Sequence, residues 1–204
     1  IAASRKGQVL AEKRQYTTHQ KAALINVMIE EVLVDAGLSL KAIDAIAVCG
    51  GPGSYTGLRV GLSAAKGLCF ALSKPLMLFH KLFLLALSTS RVSEGSILIA
   101  LKARQEELFV AGYDNTMQEM LPPQHIFQNE LEIILPEYNL VLTNYEELPI
   151  FEGHKLLPLH HEIKMEKWTM HAAERYVQQE FDDLAYSEPF YLKAAYTTTA
   201  KKKI

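Results

Sequence analysis

A chain of 204 residues with 49% hydrophobic and 22% charged side chains can bury one good core or two small ones, which excludes a disordered or fibrous protein. The formal net charge of −2 and pI of about 6.4 give no overall electrostatic reason to hold a polyanion. Two cysteines, Cys49 and Cys69, are too few for a disulfide framework and read as buried thiols of a reducing cytoplasm. No apolar run approaches the roughly 18 residues of a membrane span. The chain opens at Ile1 with neither methionine nor signal peptide and runs straight into strand-like sequence, which reads as a cytoplasmic protein missing its true amino terminus.

In chain order, Arg5-Lys6-Gly7-Gln8 between two short apolar stretches predicts an antiparallel hairpin, with Gly7 free to take a positive φ. Over residues 20–36 Ile25, Met28, Ile29, Val32, Leu33 and Ala36 share one helical face, and Gly37 supplies the stop. A helical turn is expected over 39–44. The apolar run 45–49 then has the length of a strand buried on both faces. Glycine-rich residues 50–57 cannot begin as regular structure, and a small-and-apolar helix follows to Leu72, closed by Ser73-Lys74-Pro75.

Further on, the pattern predicts a strand at 76–79, a helix at 82–90, a restart around 92–95, and antiparallel strands at 96–101 and 106–113. Beyond Asp114 the chain is richer in Pro, His and Glu, with short strands at 140–143 and 155–159, a helix over 165–180 and a final strand at 189–193. The pattern suggests a compact first half and a looser second.

A glycine loop between a buried strand and a helix invites a phosphate reading, because exposed amides and the positive helix end attract anions. The spacing resists it: Gly51, Gly53 and Gly57 give G-x-G-x-x-x-G, neither the dinucleotide fingerprint nor a P-loop. The alternative is structural, with Gly57, Gly61, Ala64, Ala65 and Ala71 letting a second helix approach closely. A helix of that kind could offer one face to a partner, or bury both faces in the monomer.

No H-E-x-x-H or zinc spacing includes His160, His161 or His171, so these read as surface histidines. Ser54 lies outside G-x-S-x-G. The carboxylates Glu106, Glu107, Glu130, Glu132, Glu146, Glu147, Asp182 and Asp183 are scattered without pairing and read as solvated. Lys201, Lys202 and Lys203 read as a solubilising end.

The run Gly51-Pro52-Gly53-Ser54-Tyr55-Thr56-Gly57-Leu58-Arg59-Val60-Gly61-Leu62-Ser63-Ala64-Ala65-Lys66-Gly67-Leu68 closely resembles the signature of the TsaB family, also called YeaZ. His19 before an amphipathic helix, Ala36-Gly37-Leu38-Ser39, Asp44-Ala45-Ile46-Ala47-Val48, Lys74-Pro75-Leu76, Ala103-Arg104 and the ending Glu188-Pro189-Phe190-Tyr191-Leu192-Lys193 are similar to the family in the same order. The resemblance implies an actin-like, ribonuclease-H-like ATPase fold of two related α/β domains, here 1–95 and 96–204, with a degenerate active site.

It also implies a non-catalytic subunit, without cofactor or metal, that binds and activates a TsaD-type transferase forming threonylcarbamoyladenosine beside the tRNA anticodon. A TsaE-type ATPase is a further partner, and tRNA is met only within the complex. The implied pairing surface, toward TsaD or a second copy, uses Ile25, Met28, Ile29 and Val32 of the first helix with Gly57, Val60, Gly61, Ala64, Ala65 and Leu68 of the second. The signature loop comprises Gly51, Pro52, Gly53, Ser54, Tyr55, Thr56, Gly57 and Arg59. A bulky residue at Gly61 or Ala65 is therefore expected to disturb association more than folding.

Against the family pattern, the amino-terminal strand that carries an Asp-Thr/Ser phosphate motif in nucleotide-binding relatives is missing, which leaves residual nucleotide affinity open, Lys102 stands where Asp commonly precedes Ala-Arg, and no clear Gly-Asn-Gly or Gly-Asp-Gly turn follows Thr143. The last two departures argue against phosphate chemistry between the domains. The rival readings are an ATPase, kinase or peptidase of the same fold, and a subunit that grips tRNA directly.

Overall fold

The computed structural model describes residues 1–16, 21–89, 95–144, 155–159 and 162–193. His19, Glu146, Glu147, His160, His161 and 201–203 lie outside them.

The chain starts as the expected hairpin of β1 (Ala2–Arg5) and β2 (Gln8–Glu12). Lys6 and Gly7, at φ 50° and 83°, make a turn whose twist suits antiparallel strands. Helix α1 (Lys21–Asp35) ends at Gly37, whose φ of 65° lets Leu38 N–H reach back to Leu33 O at 2.9 Å. A single 3₁₀ turn (Leu40–Ala42) leads into β3 (Ile46–Gly51).

From β3 the chain crosses through α2 (Tyr55–Leu72) to β4 (Leu76–His80), which lies parallel to β3, and then enters α3 (Lys81–Ser88). The strand expected to be buried on both faces is only half-buried, because β3 has a single strand partner and its other edge borders a cavity.

The second sheet joins β5 (Ile97–Lys102), β6 (Glu107–Tyr113), β7 (Glu119–Phe127), β8 (Leu140–Thr143) and β9 (Lys155–Pro158) in the order β7-β6-β5-β8-β9. The β5–β6 and β6–β7 pairs are antiparallel, and β5–β8 and β8–β9 parallel. A short helix, α4 (Leu131–Ile134), precedes β8, and α5 (Met165–Val177) follows β9.

Strand β7 was not legible because Pro122-Pro123 interrupts it. The prolines are tolerated at the sheet edge: the ladder pairs Val110 with Gln124 and Gly112 with Leu121, so both prolines bulge out opposite Ala111.

Side chains of β5 alternate between two cores. Ile97 and Ile99 pack with Leu82, Leu85 and Tyr113, whereas Leu98 and Ala100 pack with Leu131, Leu135 and Val141. The second half is therefore the tightly packed one, contrary to its composition. Five strands covered on both faces bury more apolar surface than two separate pairs.

Two further expectations change. Helix α5 stops at Val177 rather than 180, because Gln179 turns to φ 57° and Glu180 N–H bonds Arg175 O at 2.9 Å. Residues 189–193 form a strap instead of a strand, joined to β3 by the bond from Phe190 N–H to Gly50 O at 2.8 Å.

Candidate functional site

The signature loop is built by close approach. A Cβ on Gly50 would lie 2.9 Å from both Leu78 Cδ1 and Phe190 Cδ2, and one on Gly51 2.9 Å from Leu58 Cδ1, so neither position accepts a side chain without displacement. Gly51 also sits at φ 118°, where glycine alone is comfortable. Ser54 caps α2, its hydroxyl accepting from Gly57 N–H at 3.4 Å.

The strap clasps this loop. Tyr55 and Tyr191 rings lie 5.0 Å apart, Arg59 sits 4.2 Å over the Tyr55 ring, and Arg59 Nε donates to the Tyr191 hydroxyl at 3.0 Å. Lys66 Nζ donates to Ala185 O and Ser187 O at 3.0 and 3.1 Å. Loop and strap thus form one unit, in which Arg59 bonds the Tyr191 hydroxyl and the Tyr55 ring packs against both.

The outer edge of β4 is sealed in the same style. Asp182 Oδ2 accepts from Leu78 N–H at 2.6 Å and from Arg175 Nη2 at 3.2 Å, while Arg175 Nη1 donates to Leu78 O at 3.1 Å. Asp182 is therefore a structural carboxylate, contrary to the solvated reading. Glu107 is another correction: Lys193 of the strap pairs with it and, with a weaker contribution from His125, holds its carboxyl below the usual range. Their spacing across 86 residues gives sequence reasoning nothing to find.

The expected pairing residues divide. Ile25, Ile29, Val32, Gly61, Ala64, Ala65 and Leu68 face inward and line the cavity beside β3; Val32 and Ala65 are 2% and 6% exposed. Met28 and Val60 are half-buried, and Gly57 is exposed. Outward, α1 presents Val27 and Val34, while α2 presents Thr56, Ser63, Gly67 and Phe70; Val34 and Phe70 are 71% and 81% exposed. A Cβ on Gly67 would meet nothing within 4 Å. Gly61 instead points at Val48, so bulk at Gly61 or Ala65 probes the monomer interior.

Where the loop meets the second sheet, a cleft of about 360 Å³ is lined by Pro52, Gly53, Lys81, Lys102, Arg104 and Lys193, among others, and opens over Glu107. Its character is basic, with Lys102 contributing to it. No group of three or more His, Cys, Asp or Glu side chains with metal-binding geometry occurs among the described residues, and none of their helices is long and apolar enough to cross a membrane.

Burial pushes the Cys69 thiol up to about 11 and raises Cys49 as well; both are free. Burial pushes His80 down to about 4; it is neutral, accepts from Leu82 N–H at 3.3 Å to cap α3, and stacks on Phe190 with centroids 4.9 Å apart. His171 is half-buried: its ring lies 4.9 Å from that of Phe83, and its Nδ1 is 3.3 Å from the exposed Glu174.

A family model described as TsaD: tRNA N6-adenosine threonylcarbamoyltransferase matches residues 13–200. The tRNA threonylcarbamoyladenosine biosynthesis protein TsaB of Haemophilus influenzae is 37% identical over 93 residues, 45% of this chain and 39% of that protein. TsaB of Bacillus subtilis is 27% identical over 168 residues, 82% of this chain and 68% of that one. A crystal structure from Pseudomonas aeruginosa, described as an uncharacterized protein with similarity to peptidase YEAZ, superposes with TM-score 0.74 at 22% identity, over 91% of this chain and 92% of its own.

The likeness of fold agrees with the expected actin-like, ribonuclease-H-like architecture. With a match from 13 to 200 and TsaB proteins among its relatives, this chain belongs to the TsaD-type family, with the TsaB (YeaZ) proteins.

Proposed function

We propose that the chain is an accessory subunit in formation of threonylcarbamoyladenosine on tRNA, docking on a TsaD-type transferase and favouring its active conformation. The observation that carries this reading is the outward face of α1 and α2. Val27 and Val34 of α1 and Phe70 of α2 stand in solvent, and a side chain on Gly67 of α2 would meet open space, room that a partner helix could use. The inward residues Ile25, Ile29, Val32, Ala64, Ala65 and Leu68 support the two helices from behind, with Met28, Val60 and Gly57 at the margin.

Activation then follows mass action: a partner conformation that buries this face is stabilised over one that does not. The subunit turns over no substrate, a TsaE-type ATPase joins the assembly, and in the free protein the same face pairs two copies. Residues 1–95 and 96–204 act as its two related units, working in the cytoplasm.

The test is a reconstituted modification assay with TsaD, TsaE, the adenylate-forming enzyme, ATP, threonine and bicarbonate, with and without this chain. Product is expected only in its presence, with none from the chain alone. Undiminished product on omission would overturn the reading.

One observation favours an enzyme of the same fold instead: the cleft beside the glycine loop is basic, as a phosphate-bearing substrate requires. ATP hydrolysis by the isolated chain, abolished by a change at Lys81, would establish that alternative.

A further inference from the structure

The cleft where the signature loop meets the second sheet concentrates positive charge that docking on a partner through α1 and α2 does not use. Among its lining residues Lys81, Lys102, Arg104 and Lys193 are cationic, and Glu107 is the one carboxylate. The whole chain has a formal net charge of −2, so the residues outside the cleft are net negative and the positive potential is local. Glu107 offsets Lys193, with His125 Nε2 3.4 Å from the same carboxylate. Exposed Glu106 on the neighbouring turn and Glu188 near Arg59 reduce the excess without reversing it.

The cations come from separate elements and do not converge on one point. Lys81 opens α3, Lys102 ends β5, Arg104 stands on the turn to β6, and Lys193 lies on the strap. Two residues back along the strap, Tyr191 meets Tyr55 and Arg59, so the basic surface runs on past the cleft to a partly exposed aromatic pair. A cleft of about 360 Å³ accounts for four of these cations and leaves Arg59 and both rings outside it. Cations strung along a surface beside ring faces match an extended, flexible polyanion whose phosphates follow the charges and whose bases stack. A compact anion would use the cleft alone.

We propose that this cleft and the adjoining corner of Tyr55, Arg59 and Tyr191 hold backbone phosphates and an unpaired base of RNA, as this chain's own contact with the tRNA being modified. The inference rests on the accessory-subunit reading for the identity of the RNA and on the cleft for the contact. With so little net charge the chain adds to the grip of the assembly on tRNA and does not replace it.

The test is fluorescence anisotropy of labelled tRNA with the preformed complex of this chain and a TsaD-type transferase, across a series of potassium chloride concentrations. Lys102→Gln with Arg104→Gln removes two exposed cations. Affinity should fall about tenfold or more, and the slope of log affinity against log salt should shrink by about 1.5, for two contacts to a single strand. Co-elution with the transferase and the melting temperature should match the parent's. Lys6→Gln with Lys167→Gln, which removes the same charge at exposed positions elsewhere, should leave affinity and slope near the parent's.

Equal affinity and slope in the parent and the cleft variant overturn the proposal. So does an equal loss in the Lys6 and Lys167 variant, which would make the effect one of net charge. ATP binding by the parent that the cleft variant loses, with tRNA affinity unaltered, would assign the cleft to a small phosphate ester instead. The titration repeated with the isolated chain at low salt separates this contact from the accessory role. A chain that does not dock on the transferase, yet binds tRNA more weakly in the cleft variant, keeps the contact and loses the role; one that docks and shows no difference keeps the role and loses the contact.

Discussion

Arg59 donates its Nε–H to the hydroxyl of Tyr191 at 3.0 Å, joining the helix that follows the signature glycines to a residue 132 positions later. The contact explains why the glycine loop and the chain's last described segment resemble the family together. Each is the other's packing partner, through Arg59, Tyr55, Phe190 and Gly50.

Replacing Tyr191 with Ala should loosen the strap without unfolding the protein. It removes a ring from the Tyr55 stack and the acceptor of Arg59, while the second sheet keeps its core. Limited proteolysis should cut within residues 186–193 severalfold faster than in the parent. An unchanged cleavage rate would contradict the clasp.

Asp182→Ala should be a stability mutant. It strips Leu78 N–H of its acceptor and leaves the half-buried Arg175 only the more distant Glu180 carboxylate, 3.7 Å from its Nε, a cost of roughly 1–3 kcal/mol. The urea midpoint should fall with the slope unchanged. Asp183→Ala, which removes only an acceptor for local amides of Ala185 and Tyr186, should cost less.

Stability should depend on pH through His80. Its folded pKa lies below the unfolded value of 6.5, so the unfolded chain binds more protons between these values. The contribution is whole above about 6.5 and is lost as the pH falls toward about 4, by at most about 3 kcal/mol. His80→Asn, which keeps a helix cap, should flatten stability measured by denaturant across this window. A parent whose stability does not change from pH 7 to pH 4.5 would refute the assignment.

Phe70→Asp and Gly67→Leu should keep the melting temperature close to the parent's, because both positions face solvent. Both should weaken co-elution with a TsaD-type transferase on the order of tenfold or more. Leu62→Ala, in the core behind the same helix, should do the reverse, costing roughly 2–5 kcal/mol of stability with the outer face intact.

Much of this arrangement was legible in advance. Alternation and turn chemistry marked the first hairpin and the strands at 97–102 and 107–113, and glycine punctuation marked both ends of the signature loop. The two helices themselves were found, but the orientation of their faces was not. A helix rich in Leu, Gly and Ala has no strongly polar side to point outward, so composition could not say whether Gly61 or Gly67 faced solvent. The proline-bearing edge strand β7, the strap, and the structural carboxylates Glu107 and Asp182 each depend on a neighbour far along the chain.

The sequence alone determined what its local rules control: where helices and strands begin, where only glycine fits, and the eighteen-residue signature that carries family membership. The tertiary structure decided which faces are inside and which carboxylates are paired. Those outcomes depend on burial and hydrogen bonding between segments distant in sequence, so no local pattern encodes them.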